Sequence, residues 1–148
     1  MMIYLAQPYS HPETETREHR YRIAESVAVN LMKKNYTIFA PIVHWHRVAQ
    51  AYNLPTEAAF WSGHNRVMLE AAESIAVLAI YGWLDSVGLH EELEWAKELN
   101  KPAYVIRHWL QPELAHTTAD TLLKEISDAK DNQERGTLAG SFAEHDGR

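Results

Sequence analysis

The residue of this sequence best suited to chemistry is a glutamate, Glu92, in a stretch with helical spacing. On a helical wheel that advances about 100° per residue, Glu92 falls within the arc of apolar residues formed by Leu89, Leu93, Trp95, Ala96 and Leu99. A carboxylate on a packed helix face is costly unless it is paired, hydrogen-bonded or used in a reaction. The alternative is a salt-bridged glutamate near a helix N-terminus, where the dipole favours anions. The pattern favours a functional carboxylate.

The residues just before this helix are suited to binding an anion. Ser86 offers a hydroxyl, and the turn through Gly88 offers backbone N–H groups at a helix N-terminus. A serine N-cap followed by a turn glycine explains the same pattern equally well. The sequence therefore predicts a helix start here and leaves the anion site as one of two interpretations.

A βαβ unit must position these residues. Residues 75–81 and 101–106 are short apolar runs rich in β-branched residues, as in buried parallel strands, and the helix lies between them. Further strands are predicted at residues 2–6 and 36–40. Other helices are predicted at residues 13–34, after an N-cap at Thr56, and at residues 118–130. The segment from Arg107 to His116 is predicted to connect the last strand to the last helix. This alternation predicts an α/β doubly wound, flavodoxin- or Rossmann-like parallel sheet of four to five strands with flanking helices.

Three loops should meet at the carboxyl ends of the strands, namely residues 7–11, 41–46 and 82–88. Ligands bind at this edge of open α/β sheets. The side chains that these loops and the adjoining elements would bring to one crevice are Tyr4, Tyr9, Ser10, His44, His46, Trp83, Asp85, Ser86 and Glu92. Tyr4 as a core residue and the two histidines as a solvated loop pair are the structural alternatives.

Composition limits the class of protein. The 148 residues suit a single α/β domain at residues 1–130, followed by a polar and flexible tail at residues 131–148. A net charge of −6 argues against a nucleic-acid polymer as partner, and the absence of cysteine excludes disulfides and thiolate sites. No apolar run is long enough for a membrane span and the start lacks a signal-peptide pattern, so we expect a cytoplasmic protein with no membrane partner.

Histidines and tryptophans raise two further possibilities. His44-x-His46 with His90 or His64 could ligate zinc, but no recognised ligand spacing such as HExxH occurs, and we predict no metal. Among the tryptophans, Trp83 lies in the predicted ligand loop and is assigned to the pocket. Trp61 is assigned to the core or an interface, and Phe60 and Met68 would suit the same interface.

Two motifs resemble the nucleoside 2-deoxyribosyltransferase superfamily, which includes the 2′-deoxynucleoside 5′-monophosphate N-glycosidases. They are Tyr4-Leu5-Ala6-Gln7-Pro8 in the first strand and Trp83-x-x-Ser86-x-Gly88-x-x-x-Glu92-x-x-x-Ala96, with Lys101-Pro102 closing the unit. The resemblance covers roughly residues 2–106. Its most specific part is the spacing from Ser86 to Ala96, and within it a serine at position 86 is similar to the phosphate-contacting version of the family.

The resemblance implies a role for each candidate residue. Glu92 would attack the anomeric carbon and form a glycosyl-enzyme intermediate, while Ser86 and Gly88 would hold the phosphate. The sugar or phosphate side would be lined by Tyr4, Pro8, Tyr9 and Ser10, and Gln7, which stands where the family often has glycine, is a further candidate for substrate binding. From their residue types, His44, His46 and Trp83 could contact the base. Cleaving the bond builds positive charge on the sugar, and the leaving base needs a proton, for which Asp85 is a candidate.

The expected activity is hydrolysis of a (deoxy)nucleoside 5′-monophosphate without a cofactor, in a homodimer or homotetramer. Base exchange between nucleosides is the first alternative. A non-catalytic nucleotide-binding or sensing module is the second, because Ser74 stands where the family has its second acidic residue.

Overall fold

The computed structural model describes residues 1–143 and the side chains of residues 1–139. Its elements in chain order are β1 (Met2–Ala6), α1 (Thr14–Lys33), β2 (Thr37–Phe39), α2 (Pro41–Tyr52), α3 (Ala58–Ala71), β3 (Ser74–Leu78), a short 3-10 turn (Trp83–Asp85), α4 (Val87–Glu98), β4 (Ala103–Ile106), β5 (Ala115–Thr117) and α5 (Ala119–Ala143). None of the helices in this part of the chain is long and apolar enough to cross a membrane.

The strands form one five-stranded sheet in the order β2-β1-β3-β4-β5. The pairings of β1 with β2, of β1 with β3 and of β3 with β4 are parallel, and Tyr4 lies opposite Ile75. The predicted doubly wound α/β fold is therefore confirmed. The strand order reverses direction between β1 and β3, which is the position where such folds bind ligands.

Successive strand residues face opposite layers of helices. Tyr4 and Ala6 point into the core beneath α3, α4 and α5, whereas Ile3 and Leu5 point into the core beneath α1. This alternation follows from the two-residue period of a strand. It places the Tyr4 side chain on the same side of the sheet as α4 and Glu92.

The structure corrects the expected loop around residues 41–46. Helix α2 begins at Pro41, and His44 and His46 are helical residues. Proline is tolerated at the first position of a helix, because the N–H that it lacks would have no intrahelical acceptor there. The helix therefore starts at Pro41, where a loop was expected.

Three further boundaries differ from expectation. The N-cap position of α3 is Glu57 rather than Thr56. The connection after β4 contains the three-residue strand β5, which is antiparallel to β4. Helix α5 continues to Ala143 instead of ending at Lys130, because residues 131–139 are exposed and include several good helix formers that need no core to pack against. The rest of the expected tail lies outside the described residues.

One buried arginine ties the loop after β1 to the loop after β3. Arg20 donates from Nη1 to the carbonyl oxygens of Tyr9 at 3.3 Å and Ser10 at 3.1 Å, and from Nη2 to that of Tyr81 at 3.4 Å. Gly82 follows with a φ of +88°, and a Cβ atom there would lie 2.5 Å from Arg20 Nη2. The turn requires glycine both for its backbone angle and for the approach of the guanidinium.

Replacing Gly82 with alanine should lower the free energy of unfolding by about 1–3 kcal/mol, because the variant strains the backbone and displaces Arg20. Gly63→Ala is the matched control, since Gly63 lies within α3 and a Cβ there meets nothing within 4 Å. That control should be neutral or stabilising by up to about 1 kcal/mol. Urea unfolding measures both, and equal midpoints for the two variants would contradict this account of the turn.

Candidate functional site

A cavity of about 440 Å³ lies at the carboxyl ends of β1 and β3. The loop after β1 contributes Gln7, Tyr9 and Ser10 to its lining, and the start of α4 contributes Asp85, Ser86, Gly88 and Glu92. Helices α2 and α3 form the remaining wall. With His46 from α2, the structure therefore brings eight of the residues predicted from the sequence to one cavity, which has the size of a small-molecule site.

Glu92 is buried in this cavity and is held by Tyr4. The Tyr4 hydroxyl donates a hydrogen bond of 2.6 Å to Glu92 Oε1. Glu92 is 8% exposed and Tyr4 is fully buried. The predicted inward orientation of Glu92 is confirmed, and both interpretations of Tyr4 hold, since the same side chain belongs to the core and contacts the carboxylate.

Burial dominates the electrostatics of this pair. It raises the pKa of Glu92 to about 8, helped by the nearby charge of Glu91 and opposed by the hydrogen bond from Tyr4. Burial, together with the negative charge of Glu92, also raises the pKa of Tyr4 well above its usual value. The tyrosine therefore keeps its proton, and the carboxyl group titrates near neutral pH, as many catalytic carboxyl groups do.

The first turn of α4 supplies hydrogen-bond donors beside Glu92. Ser86 is the N-cap, and its Oγ accepts a hydrogen bond of 3.2 Å from the Leu89 N–H. The first N–H groups of a helix lack intrahelical acceptors, and Val87 and Gly88 carry such groups and line the cavity. The capping interpretation of Ser86 is confirmed, and the same geometry favours an anion at this position.

Gly88 has a different role from the expected turn glycine. It is the second residue of α4. A Cβ atom at Gly88 would lie 3.3 Å from the Cβ of Ala58, so the glycine lets the N-termini of α3 and α4 pack closely. Both residues line the cavity.

His46 reaches the cavity in a way that the sequence did not indicate. It is 2% exposed, stacks on the ring of Tyr21 at a centroid distance of 4.4 Å, and is hydrogen-bonded through both ring nitrogens. Its partners are the Tyr9 hydroxyl and the Glu18 carboxylate, each at 2.6 Å. The alternative of a solvated loop histidine is wrong for His46, because helix α2 directs it inward against α1.

Four predicted residues lie outside the cavity lining, among them Tyr4, whose contact with it is the hydrogen bond to Glu92. His44 is exposed on α2 and packs against the rings of Phe39 and Trp45. Trp83 is 7% exposed and belongs to the core cluster beneath α3, α4 and α5, so its assignment to the pocket is wrong. Pro8 is buried in the loop after β1 and does not line the cavity.

The aromatic wall of the cavity comes instead from Trp45 and Trp61, whose ring centroids are 5.0 Å apart. Trp45 Nε1 donates to Asn65 Oδ1 at 3.2 Å, and Trp61 Nε1 donates to the Pro55 carbonyl at 2.8 Å. Asn65 also lines the cavity and was not predicted from the sequence. Its spacing of four residues from Trp61 places both side chains on one face of α3 and could have indicated a shared site.

Ser74 lies on the other face of the sheet from Glu92. It is the first residue of β3, and the alternation of that strand directs it to the same side as Ala76 and Leu78, beneath α1, whereas Ile75 and Val77 share the face of Tyr4 and α4. The Ser74 hydroxyl is buried and has no hydrogen-bond partner among the described residues. An acidic side chain at position 74 would point away from Glu92 in this fold.

No group of three or more His, Asp or Glu side chains within residues 1–143 is arranged to hold a metal ion. The cavity therefore offers a carboxylate, hydroxyls, helix N–H groups and an aromatic wall. This set can bind an anion and a flat ring, and it can place a carboxylate against an electrophilic carbon.

Glu92→Gln should stabilise the protein at alkaline pH. The folded-state pKa of about 8 exceeds the unfolded value of about 4.3, so the stability that the protonated carboxyl contributes is complete below about pH 4 and is lost as pH rises through about 8. The melting temperature of the parent should therefore fall relative to Glu92→Gln between about pH 5 and about pH 9, by several degrees. Glu113→Gln, at an exposed carboxyl, should track the parent. A Glu92→Gln difference that does not change with pH would contradict the raised pKa.

Comparison with known proteins bears on the family of this chain. No curated protein matches the sequence. A family model described as a domain of unknown function, DUF1937, matches residues 1–108, a range that contains β1 through β4 together with Tyr4, Tyr9, His46 and Glu92. The matched range covers most of the chain and the whole candidate site, and the protein therefore belongs to the DUF1937 family.

Proposed function

We propose that the protein hydrolyses the bond between base and sugar in a (deoxy)nucleoside 5′-monophosphate, with Glu92 as the nucleophile. The observation that carries this proposal is the buried Glu92 carboxyl, hydrogen-bonded by Tyr4 in the same cavity as the first turn of α4. A buried carboxyl without a cationic partner is costly, and such groups are expected where they take part in a reaction. The resemblance of the Ser86–Ala96 spacing to the N-glycosidases agrees with this assignment.

The chemistry suits this carboxylate. Breaking an N-glycosidic bond builds positive charge on the sugar ring, and a carboxylate next to the anomeric carbon stabilises that charge and then bonds to the carbon. Tyr4 occupies Oε1 of Glu92, which leaves Oε2 to attack. Water would then release the sugar from Glu92. Because only the ionised carboxyl attacks, the rate should increase with pH towards about 8.

Recognition would use two parts of the cavity lining. The N–H groups of Val87 and Gly88 and the hydroxyl of Ser86 would bind the 5′-phosphate, since a helix N-terminus favours an anion. The Trp45 and Trp61 side chains would contact the base, because aromatic rings stack on bases of any sequence. The sugar would then be bound beside Glu92.

A homo-oligomer in the cytoplasm stays a prediction. Phe60 is 44% exposed and Val67 is 61% exposed on α3, and both are available for a subunit contact. Trp61 forms part of the cavity wall, and Met68 packs partly against the core. Fewer of the residues predicted for a subunit interface are therefore free to form one.

A base-release assay on ribo- and deoxynucleoside 5′-monophosphates and the matching nucleosides tests the proposal. The parent should release free base from monophosphates, and Glu92→Gln should lower kcat/KM by about 10³-fold or more, because the nucleophile is lost. Glu94→Gln is the control, since Glu94 is exposed on the same helix, and it should retain activity. If free base appears only when an acceptor base is added, the protein transfers the sugar between bases instead of hydrolysing the bond. If no base is released from any of these substrates, the proposal is contradicted.

Ser86→Asp should shift preference from monophosphates to nucleosides. Aspartate keeps the N-cap but sets a negative charge against the phosphate, so KM for monophosphates should rise at least about tenfold while KM for nucleosides changes little. Ser86→Asn is the matched neutral variant and should keep the preference of the parent. Equal KM changes in the two variants would argue against a phosphate at the start of α4.

A further inference from the structure

Three side chains from three segments form a hydrogen-bonded chain that ends in the cavity. The Tyr9 hydroxyl, in the loop after β1, lies 2.6 Å from His46 Nδ1, and His46 Nε2 lies 2.6 Å from Glu18 Oε2 on α1. Tyr9 and His46 line the cavity, whereas Glu18 does not. This row of hydrogen bonds therefore connects the cavity, through His46, to the carboxylate of Glu18.

The surroundings of His46 keep Glu18 ionised. The hydrogen bond from His46 is the largest cause that lowers the pKa of Glu18, and the charges of His46 and Arg47 add to it. Arg22 Nε and Arg47 Nη2 lie 3.5 Å and 3.6 Å from Glu18 Oε1. The other polar groups facing the pair are the ring of Tyr21, which stacks on His46, and the amide of Gln50, which donates to Glu18 at 3.4 Å.

This arrangement fixes the direction of the hydrogen bonds. An ionised Glu18 only accepts, so His46 Nε2 carries a proton. The other ring nitrogen, Nδ1, then exchanges a proton with Tyr9 alone. Burial raises the pKa of Tyr9, so the hydroxyl stays protonated at neutral pH and returns to that form after any transfer.

We propose that Tyr9 is the catalytic residue that gives a proton to the leaving base and later takes one from water, and that His46 and Glu18 are the positioning residues behind it. This inference rests on the proposed function. It assigns the proton that the leaving base needs to the Tyr9 hydroxyl, which His46 can supply with a new proton. Asp85, the candidate from sequence, is an exposed side chain at the cavity rim.

In the first step, Glu92 Oε2 forms a bond to the anomeric carbon and the bond from that carbon to the base nitrogen breaks. The electron pair of the broken bond stays on the base. The Tyr9 hydroxyl proton moves to the base, and the Nδ1 proton of an imidazolium His46 moves to the Tyr9 oxygen. The products are a neutral base, a glycosyl ester of Glu92 and a neutral His46 that still donates from Nε2 to Glu18.

In the second step, a water oxygen attacks the anomeric carbon and the ester bond to Glu92 breaks. One water proton moves to the Tyr9 oxygen while the Tyr9 proton moves to His46 Nδ1. The free sugar phosphate, the Glu92 carboxylate and the imidazolium are then restored. The sum of the steps is addition of one water molecule across the glycosidic bond, so no oxidant, metal or second substrate is needed.

The test compares two leaving groups in single-turnover base release. Guanosine 5′-monophosphate or its deoxy form needs a proton on the departing base, whereas the N7-methylated counterpart loses its base as a neutral molecule without one. We expect Tyr9→Phe to slow release from the unmethylated substrate about 10²-fold or more, and to slow release from the methylated one less than about tenfold. Glu92→Gln should abolish release from both.

Glu18→Gln tests the positioning part without removing a hydrogen bond, because a glutamine oxygen still accepts from His46 Nε2. It removes the negative charge beside the ring that passes the proton to Tyr9, so it should show the same leaving-group dependence as Tyr9→Phe. Glu25→Gln is the matched control, since Glu25 also lies on α1 and accepts from a tyrosine hydroxyl, that of Tyr21, at 3.0 Å. It should behave as the parent on both substrates.

The outcomes separate the two proposals. If the parent releases base but Tyr9→Phe and Glu18→Gln slow both substrates equally, the proton chain is only structural and this inference is wrong while the proposed function stands. If Tyr9→Phe does not fold, the leaving-group dependence of Glu18→Gln decides. If the parent releases base from neither substrate in this assay and from no other monophosphate, the proposed function fails and this inference fails with it.

Discussion

The structure of the site depends on one contact, the hydrogen bond between the Tyr4 hydroxyl and the buried carboxyl of Glu92. A folded-state pKa of about 8 means that Glu92 is mostly protonated at neutral pH in the folded protein but ionised in the unfolded chain, and this difference lowers stability by on the order of 3–4 kcal/mol at pH 7. The sheet makes the contact possible, because the alternation of β1 turns Tyr4 towards α4 and the parallel pairing of β1 with β3 brings α4 above it. Residues that reduce stability in this way are expected at functional sites.

The central part of this arrangement could be predicted from the sequence. Apolar runs of strand length identified β1, β3 and β4, and the helical wheel placed Glu92 on the inner face of α4. Both inferences use periodicities that the backbone imposes wherever a segment is buried on one or both faces. Such a pattern can be recognised within a single segment, because it does not depend on how distant segments pack.

The remainder of the site depends on tertiary packing, which no local pattern reports. Pro41 opens α2 instead of a loop, and this change turns His46 inward against α1. The loop tryptophan Trp83 fills the core, while Trp45 and Trp61 from two helices form the cavity wall. In each case the residue type suggested a role, but the position of the neighbouring helix decided which residue took it.

The most direct test of the central claim is to trap the bond that Glu92 is proposed to form. A 2-fluoro nucleoside 5′-monophosphate substrate slows release of the sugar more than its attachment, so the intermediate should accumulate. Mass spectrometry of the intact protein, followed by peptide mapping, should find one sugar phosphate attached at Glu92, and none in Glu92→Gln. Release of base with no adduct, or with the adduct on another residue, would contradict the role assigned to Glu92.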